Sequence, residues 1–267
     1  MPNDVSGPEK LRERDEAIVD LVRRQGFVSI EALARHFRVT PQTIRRDINH
    51  LCDLGRLRRY HGGAGLPSSV ENVAYQTRRV LMQTEKQSIA RLCAAHVPDG
   101  ASLFLNIGTT TEEVARALVH HSGLRVVTNN LNVATSLGAQ ADFEVILAGG
   151  AVRARDFGIV GEATIDLIRQ FKLDFGIIGI SGIDEDGSLL DFDYREVRVA
   201  QAIIHNSRQV FLVADHTKFG RSAMVRLGSL DQIDALFTDQ RPPDPFSEIL
   251  ARNRVRLHNA AGEDGGT

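Results

Sequence analysis

The run "VTPQTIRRDINHL" (residues 39–51) predicts a helix with an apolar side and a hydrogen-bonding side. Ile44, Ile48 and Leu51 follow one another at intervals of four and three residues, which is helical spacing. The opposite and flanking positions carry Gln42, Thr43, Arg45, Arg46 and Asn49. These side chain types can hydrogen-bond base edges and phosphates in a DNA major groove. A merely solvated face would mix Glu with Lys, whereas Asp47 is the only acid in the first two turns.

Additional basic residues follow this helix. Arg56, Arg58 and Arg59 belong to "RLRRYHGGAG", and they are expected to contact phosphates, which gives affinity without sequence choice. The candidate DNA-binding set is completed by His61 and by two expected helix N-caps, Ser29 and Thr40. His61 has an alternative reading as a packed or solvated side chain.

A second candidate chemistry lies in "LFLNIGTTTEEVARAL" (103–118), where an apolar strand leads through glycine and threonines into a helix. Backbone N–H groups at a helix N-terminus bind phosphate, and a glycine allows close approach. We therefore assign effector binding to Gly108, Thr109, Thr110 and Thr111. The alternative is an ordinary capping box formed by Thr110 and Glu113.

Polar residues also follow the later strands. The carboxyl ends of strands in an open α/β sheet form a ligand crevice. Lys218 is expected to be the counter-ion of a phosphate, and Asp184, Asn129 and Asn130 are expected to bind hydroxyls. Arg153 fits either the ligand or a subunit contact, and the sequence does not decide between them.

The elements that must position the DNA-reading residues form the first 66 residues. Helical spacing runs from about Glu9 to Arg24, restarts after Ser29, and restarts again with Thr40 as N-cap and Pro41 at the first helical position. A short turn separates the last two helices, and a basic hairpin follows. This order predicts a winged helix-turn-helix domain.

From Glu85 onward, apolar strands alternate with helices, which predicts a mainly parallel α/β sheet. We expect a polar N-terminal extension over 1–10, the winged domain over 11–66 and a linker arm over 67–84. An effector-binding and oligomerisation domain is expected over 85–259, followed by a disordered tail over 260–267.

Composition excludes several classes of protein. Residues 1–66 hold 12 Lys and Arg against 9 Asp and Glu, and the other 201 residues hold 20 against 25. The front is therefore basic, which favours a polyanionic partner. No apolar run approaches a membrane span, no Cys/His cluster has metal-site spacing, and two cysteines favour a reducing cytoplasm. RNA is the weaker alternative, because no exposed aromatic platform accompanies the charge.

The run from "GFVSIEALARHFRV" through "TPQTIRRDI" to "HGGAGLPSS" resembles the N-terminal domain of DeoR-family transcriptional repressors. "LRVVTNNLNVA", "LAGG", "GEATIDLI", "GISGIDEDGSLLDFDYREVR" and "DHTKFGR" extend the resemblance to about residue 258. The resemblance implies a repressor of glycerol catabolic genes that binds double-stranded operator DNA as a dimer or tetramer. It also implies a phosphorylated effector, glycerol 3-phosphate, and no cofactor or metal; another sugar phosphate is the alternative.

The second half also resembles the ribose-5-phosphate isomerase fold. In that fold a strand end reads Asp-Gly-Ala-Asp, whereas this chain has Ser181-Gly182-Ile183-Asp184. The fold's Lys-Gly-Gly-Gly stretch is replaced by "LLDFDYRE" (189–196), which has no lysine. Lys218 and the threonine loop do match. Loss of the acid/base set favours a sensor over an enzyme. Two other classes of function stay open: a residual isomerase and an architectural DNA binder that does not respond to a ligand.

Overall fold

The computed structural model describes residues 8–25, 27–60, 63–65 and 75–262. The chain divides into two compact units, Met1–Ser68 and Ser69–Thr267. The expected linker 67–84 and tail 260–267 lie partly outside the described residues. None of the described helices combines the length and the apolar character that crossing a membrane requires.

The first unit contains a helix-turn-helix and a small antiparallel sheet. Its elements are α1 (Pro8–Gln25), β1 (Phe27–Ser29), α2 (Ile30–Phe37), α3 (Pro41–Asp53), β2 (Arg58–Tyr60) and β3 (Gly63–Gly65). The three strands lie in the order β1-β3-β2, and β2 and β3 form the wing. The expected winged helix-turn-helix is confirmed. Strand β1 was not expected, and it forms because residues 27–29 pair with β3.

The core of this unit follows the periodicity of α3. Ile44, Ile48 and Leu51 are all 1% exposed or less, and they pack with Leu33 and Leu57. The Thr40 hydroxyl caps α3 by accepting from the N–H of Thr43 at 3.2 Å. These contacts fix the side of α3 that faces outward.

Asp47, the acidic residue in the first two turns of α3, points into this core. The Asp47 side chain is 2% exposed and accepts from Nε of Arg14 at 2.7 Å and from Nη2 at 3.2 Å. The pair joins α3 to α1. Because a buried carboxylate needs a partner, Arg14 balances Asp47 within the unit.

The second unit is an α/β domain. Its strands are β4 (Ser102–Leu105), β5 (Arg125–Thr128), β6 (Glu144–Leu147), β7 (Ala151–Val152), β8 (Ile159–Val160), β9 (Leu173–Gly179), β10 (Gly182–Ile183), β11 (Ser188–Asp191), β12 (Ser207–Val213), β13 (Val225–Ser229), β14 (Ala235–Thr238) and β15 (Arg256–Asn259). Its helices are α4 (Tyr75–Val80), α5 (Gln83–Ala94), α6 (Thr109–Leu118), α7 (Leu131–Leu137), α8 (Glu162–Ile168), α9 (Tyr194–His205) and α10 (Asp244–Arg252). Two short 3-10 helices span His216–Lys218 and Leu230–Gln232.

Seven strands form a parallel sheet in the order β15-β14-β12-β9-β4-β5-β6. Side chains alternate between two apolar clusters: Leu103 and Leu105 lie in one, and Phe104 lies in the other. The chain starts at β4, runs outward to β6, and returns to place β9 on the other side of β4. The strand order therefore reverses between the neighbouring strands β4 and β9. This is the topological switch point, where an open α/β sheet places its ligand crevice.

Replacing Asp47 with Asn should destabilise the first unit by roughly 1–3 kcal/mol, since Arg14 would lose its buried charge partner. Hydrogen exchange of α3 amides in the full chain measures this loss. Glu16→Gln is the matched control, because it removes a more exposed ion pair with Arg56 and should cost less than about 1 kcal/mol. Equal effects of the two variants would contradict the structural role of Asp47.

Candidate DNA-binding surface and anion pocket

The outward side of α3 presents the residues expected to read DNA. Gln42, Arg45, Arg46 and Asn49 are exposed, and Thr43 is half-buried. Among the acidic residues that the structure describes, none forms an ion pair with Arg45 or Arg46. Asp47 faces the core, so the exposed side of this helix start carries positive charge and neutral hydrogen-bonding groups.

The wing contributes two exposed arginines. Arg58 and Arg59 lie in β2, and Nη1 of Arg59 donates to Oδ1 of Asn49 at 3.1 Å. Arg56 precedes β2 and donates to both carboxylate oxygens of Glu16 at 2.5 and 2.6 Å. This ion pair with α1 is partly exposed, and the phosphate contact of Arg56 stays a prediction.

The remaining DNA-binding candidates are capping or undescribed residues. The Ser29 hydroxyl accepts from the N–H of Ala32 at 3.1 Å, as Thr40 does for Thr43. Both hydroxyls therefore cap helices, as the sequence predicts for N-caps. His61 lies outside the described residues.

A pocket opens at the switch point of the sheet. Its walls come from the residues after β4, the end of β9, and the segments that follow β10 and β12. The lining includes Asn106, Gly108, Thr109, Thr110, Ser181, Asp191, Glu196, Lys218 and Arg221, and α4 adds Tyr75 and Arg78. Polar strand ends therefore meet in a crevice, as the sequence pattern indicates.

The floor of the pocket is the N-terminus of α6. Gly108 is its N-cap, with φ at +151° and no side chain capping bond. The first N–H groups of a helix have no partner within the helix, so those of Thr109 and Thr110 are available to an anion. A capping box between Thr110 and Glu113 does not form, because Gly108 is the N-cap and Thr110 is already the second residue of the helix. Glu113 pairs with Arg116.

Thr111 differs from the two threonines before it. Its hydroxyl donates to the carbonyls of Asn106 and Gly108, each at 2.8 Å, and the residue does not line the pocket. A Cβ on Gly108 would lie 3.1 Å from this hydroxyl oxygen. Thr111 thus shapes the loop around Gly108, which corrects its assignment to the effector.

Three cationic side chains line the pocket: Arg78, Lys218 and Arg221. Only Lys218 was predicted. Arg221 donates to the carbonyl of Ser181 at 3.1 Å, and a Cβ on Gly182 would lie 1.9 Å from the Arg221 carbonyl oxygen. Glycine at 182 is therefore needed to bring this segment close. Arg221 ends the motif "DHTKFGR", so the family resemblance could have indicated it, whereas Arg78 lies in the expected linker.

The cations of this pocket repel one another. Burial lowers the pKa of both Lys218 and Arg221; Asp215, 3.6 Å from Nζ of Lys218, opposes the shift of Lys218, and the positive charge of Arg78 adds to the lowering of both. Burial also lowers the pKa of Lys86 to about 8, with a contribution from the charge of Lys218. An anion in the pocket would relieve this repulsion, because opposite charge favours the protonated forms.

The pocket lining also carries carboxyl groups, and Asp191 lies near Arg78 and Arg221. Asp191 accepts from the Ser181 hydroxyl at 3.0 Å and from the N–H of Phe192 at 2.7 Å. Burial raises the pKa of Asp191 and of Glu196. The pocket thus combines cations with groups that can hydrogen-bond hydroxyls.

Several predicted effector residues lie away from the pocket. Asp184 is exposed in the turn between β10 and β11, where its carboxylate accepts from the N–H of Glu185, so Asp191 takes the place predicted for it. Asn129 is buried and donates to the carbonyl of Ile159 at 3.0 Å. Asn130 caps α7 through Asn132. None of the three sequence-predicted residues lines the pocket.

Arg153 does not line the pocket but pairs with acids that do. It is 8% exposed and forms ion pairs with Asp156, Asp193 and Glu196. Because Asp156 and Glu196 line the pocket and Arg153 does not, the arginine balances these carboxylates. This placement does not favour direct contact with an effector.

Comparison with known proteins gives two family matches. The DeoR-like helix-turn-helix domain matches residues 14–70, and the DeoR C terminal sensor domain matches residues 81–240. The chain is similar to the glycerol-3-phosphate regulon repressor of Escherichia coli (strain K12), with 55% identity over 93% of this chain and 98% of the relative. The Haemophilus influenzae protein of the same name is 53% identical over 91% of this chain and 95% of its own.

Solved structures that resemble the chain include ribose 5-phosphate isomerase A of Methanocaldococcus jannaschii. It is 13% identical, covers 52% of this chain and 56% of its own, and has a TM-score of 0.39.

Stability should rise with pH between about 8 and about 10.5, relative to a Lys86→Met variant. Above a pKa of about 8 the folded protein loses the Lys86 proton, while the unfolded chain keeps it up to about 10.5. The unfolded state then binds more protons, so the free energy of unfolding increases by up to about 3 kcal/mol. Urea unfolding at a series of pH values measures the difference.

Lys172→Met is the control for this experiment. Its Nζ also donates to backbone carbonyls, at 2.9 and 3.1 Å, but from an exposed position. This variant should keep the wild-type dependence on pH. If the Lys86→Met variant kept the wild-type dependence of stability on pH, the lowered pKa of Lys86 would be contradicted.

Proposed function

Because the chain belongs to the DeoR family of transcriptional regulators, we propose that it is a repressor that leaves its operator when glycerol 3-phosphate fills the pocket. The two similar repressors are named for the glycerol-3-phosphate regulon, and the alignments span nearly the full length of both partners. Control of glycerol catabolic genes follows from that similarity.

The proposed DNA contact divides between α3 and the wing. Arg46 and Asn49 on the exposed side of α3 read base edges in the major groove. Arg58 in β2 binds phosphate and adds affinity for any sequence. The exposed positive side of α3, with its acid turned inward, supports this division.

One observation carries the effector assignment: the N-terminus of α6 faces the same pocket as Arg78, Lys218 and Arg221. A phosphate monoester carries a charge of about −1.5 to −2 near pH 7, and it accepts hydrogen bonds on three oxygens. Backbone N–H groups and cations therefore match its phosphate. Asp191 and Ser181 line the same pocket, and we expect them to hydrogen-bond the polyol hydroxyls.

Repression requires more than one copy of the chain, because family operators are expected to carry repeated half-sites. We infer a cytoplasmic homo-oligomer, a dimer or tetramer, assembled through the sensor domains. The effector binds one arrangement of this oligomer better and so lowers operator affinity. Tenfold release requires a coupling free energy of only about 1.4 kcal/mol.

Arg46→Ala should weaken specific operator binding by about 1–3 kcal/mol and relax sequence choice, because its guanidinium reads a base edge. Arg58→Ala should weaken binding to operator and random DNA alike and reduce the salt slope by about 1. Gel-shift titrations at several salt concentrations separate the two effects. Equal losses of specificity in both variants would refute the assigned roles.

Glycerol 3-phosphate should raise the thermal midpoint of the wild-type chain and release operator, because it binds only the folded protein. Arg221→Gln should abolish both responses, while Arg226→Gln, an exposed substitution in β13, should preserve them. An unchanged footprint across the physiological range of the effector would rule out this inducer.

Turnover of pentose phosphates, lost on Asp191→Asn, would instead favour a residual isomerase.

A further inference from the structure

Helix α4 joins the two functions of the chain in sequence. Residues 66–74 separate it from β3, the last strand of the winged unit. At the same time α4 contributes Tyr75 and Arg78 to the lining of the pocket. The same six-residue helix therefore precedes the sensor domain in the chain and contributes to its ligand site.

Polar contacts attach α4 to the first turn of α6 and to α5. The Tyr75 hydroxyl donates to the Glu112 carboxylate at 2.8 Å and accepts from Nδ2 of Asn132 at 3.0 Å. Nζ of Lys86 donates to the carbonyl of Arg78 and, at 2.6 Å, to that of Leu81. Val80 is 68% exposed, so α4 contributes little apolar burial at its end.

Arg78 of α4 also lies close to other cationic side chains of the pocket. Arg78 lies close enough to Lys86, Lys218 and Arg221 for its charge to lower the pKa of all three. Asp191 and Asp215 offset part of the repulsion. A dianion among these cations would make the interaction attractive, and Arg78 would gain a charged hydrogen-bond acceptor.

We propose that Arg78 is an effector-binding residue and that its contact with the phosphate fastens α4 to the sensor domain. Pocket occupancy is thereby transmitted to the segment 66–74, which leads to the winged unit. This inference rests on the proposed function, because it concerns the same phosphate. It assigns to a residue of the expected linker a role in sensing and in relaying the signal.

Arg78→Gln tests the proposal, with Arg79→Gln as the matched control. Arg79 is the next residue of the same helix, it is exposed, and it does not line the pocket. In the full-length protein, Arg78→Gln should weaken glycerol 3-phosphate binding by about tenfold or more, since one charged hydrogen bond is lost. Arg79→Gln should bind as the wild type does. Isothermal titration measures both.

Hydrogen exchange of α4 amides tests the relay. Glycerol 3-phosphate should protect these amides in wild type and in Arg79→Gln, but not in Arg78→Gln at a concentration that saturates the variant. Operator release should follow the same pattern. Arg78→Lys keeps the charge and should recover part of the protection, which a purely structural role for the guanidinium does not predict.

The outcomes separate the two proposals. If wild type responds to glycerol 3-phosphate and Arg78→Gln responds equally, the role of Arg78 is refuted and the proposed function stands. If wild type ignores glycerol 3-phosphate, that effector is refuted, and inorganic phosphate then serves as the probe for α4 protection. Absence of protection with both probes overturns the inference. The thermal midpoint without ligand reports whether Arg78→Gln is folded.

Discussion

The meeting of buried cations at the carboxyl ends of β4 and β9 is the constraint around which the pocket of the sensor domain is arranged. Arg78, Lys86, Lys218 and Arg221 converge there, and burial removes much of the water that would screen them. Buried charge is costly unless it is paired. Asp191 lies near these cations and Asp215 is 3.6 Å from Nζ of Lys218, so the site pairs part of its charge internally and an anion would add a further acceptor for it.

The topology of the sheet explains why the cations meet. Chain reversal on either side of β4 leaves the residues after β4 and after β9 facing one crevice. Close approach then depends on two glycines: Gly108 exposes the start of α6, and Gly182 admits the Arg221 segment. Both are backbone requirements, so substitutions there would disturb the pocket without removing any functional side chain.

Periodicity was sufficient to predict α3, its apolar side and the alternation of strands with helices, because these depend on local spacing. It could not predict which acid enters the pocket. Asp184 and Asp191 flank the same hairpin, and only the pairing of β10 with β11 places Asp191 inward and Asp184 in the turn. Arg78 escaped prediction because the arm around α4 has no clear apolar period, and its position depends on tertiary contacts with Glu112 and Lys86.

On both candidate surfaces, an arginine that lies off the candidate binding face pairs with an acid. On α3, Asp47 turns inward to Arg14, which leaves the outward side without an acid in its first turns. At the pocket, Arg153 pairs with Asp156 and Glu196, so these carboxylates oppose a bound phosphate less than free ones would. Each unit must hold a polyanion or dianion, and each must also bury acidic side chains as it folds. An arginine away from the binding face meets both requirements, because it neutralises those acids. The arginines that we propose to bind anions and the arginines that pair with acids are different residues, and the number of arginines in the sequence does not distinguish the two groups.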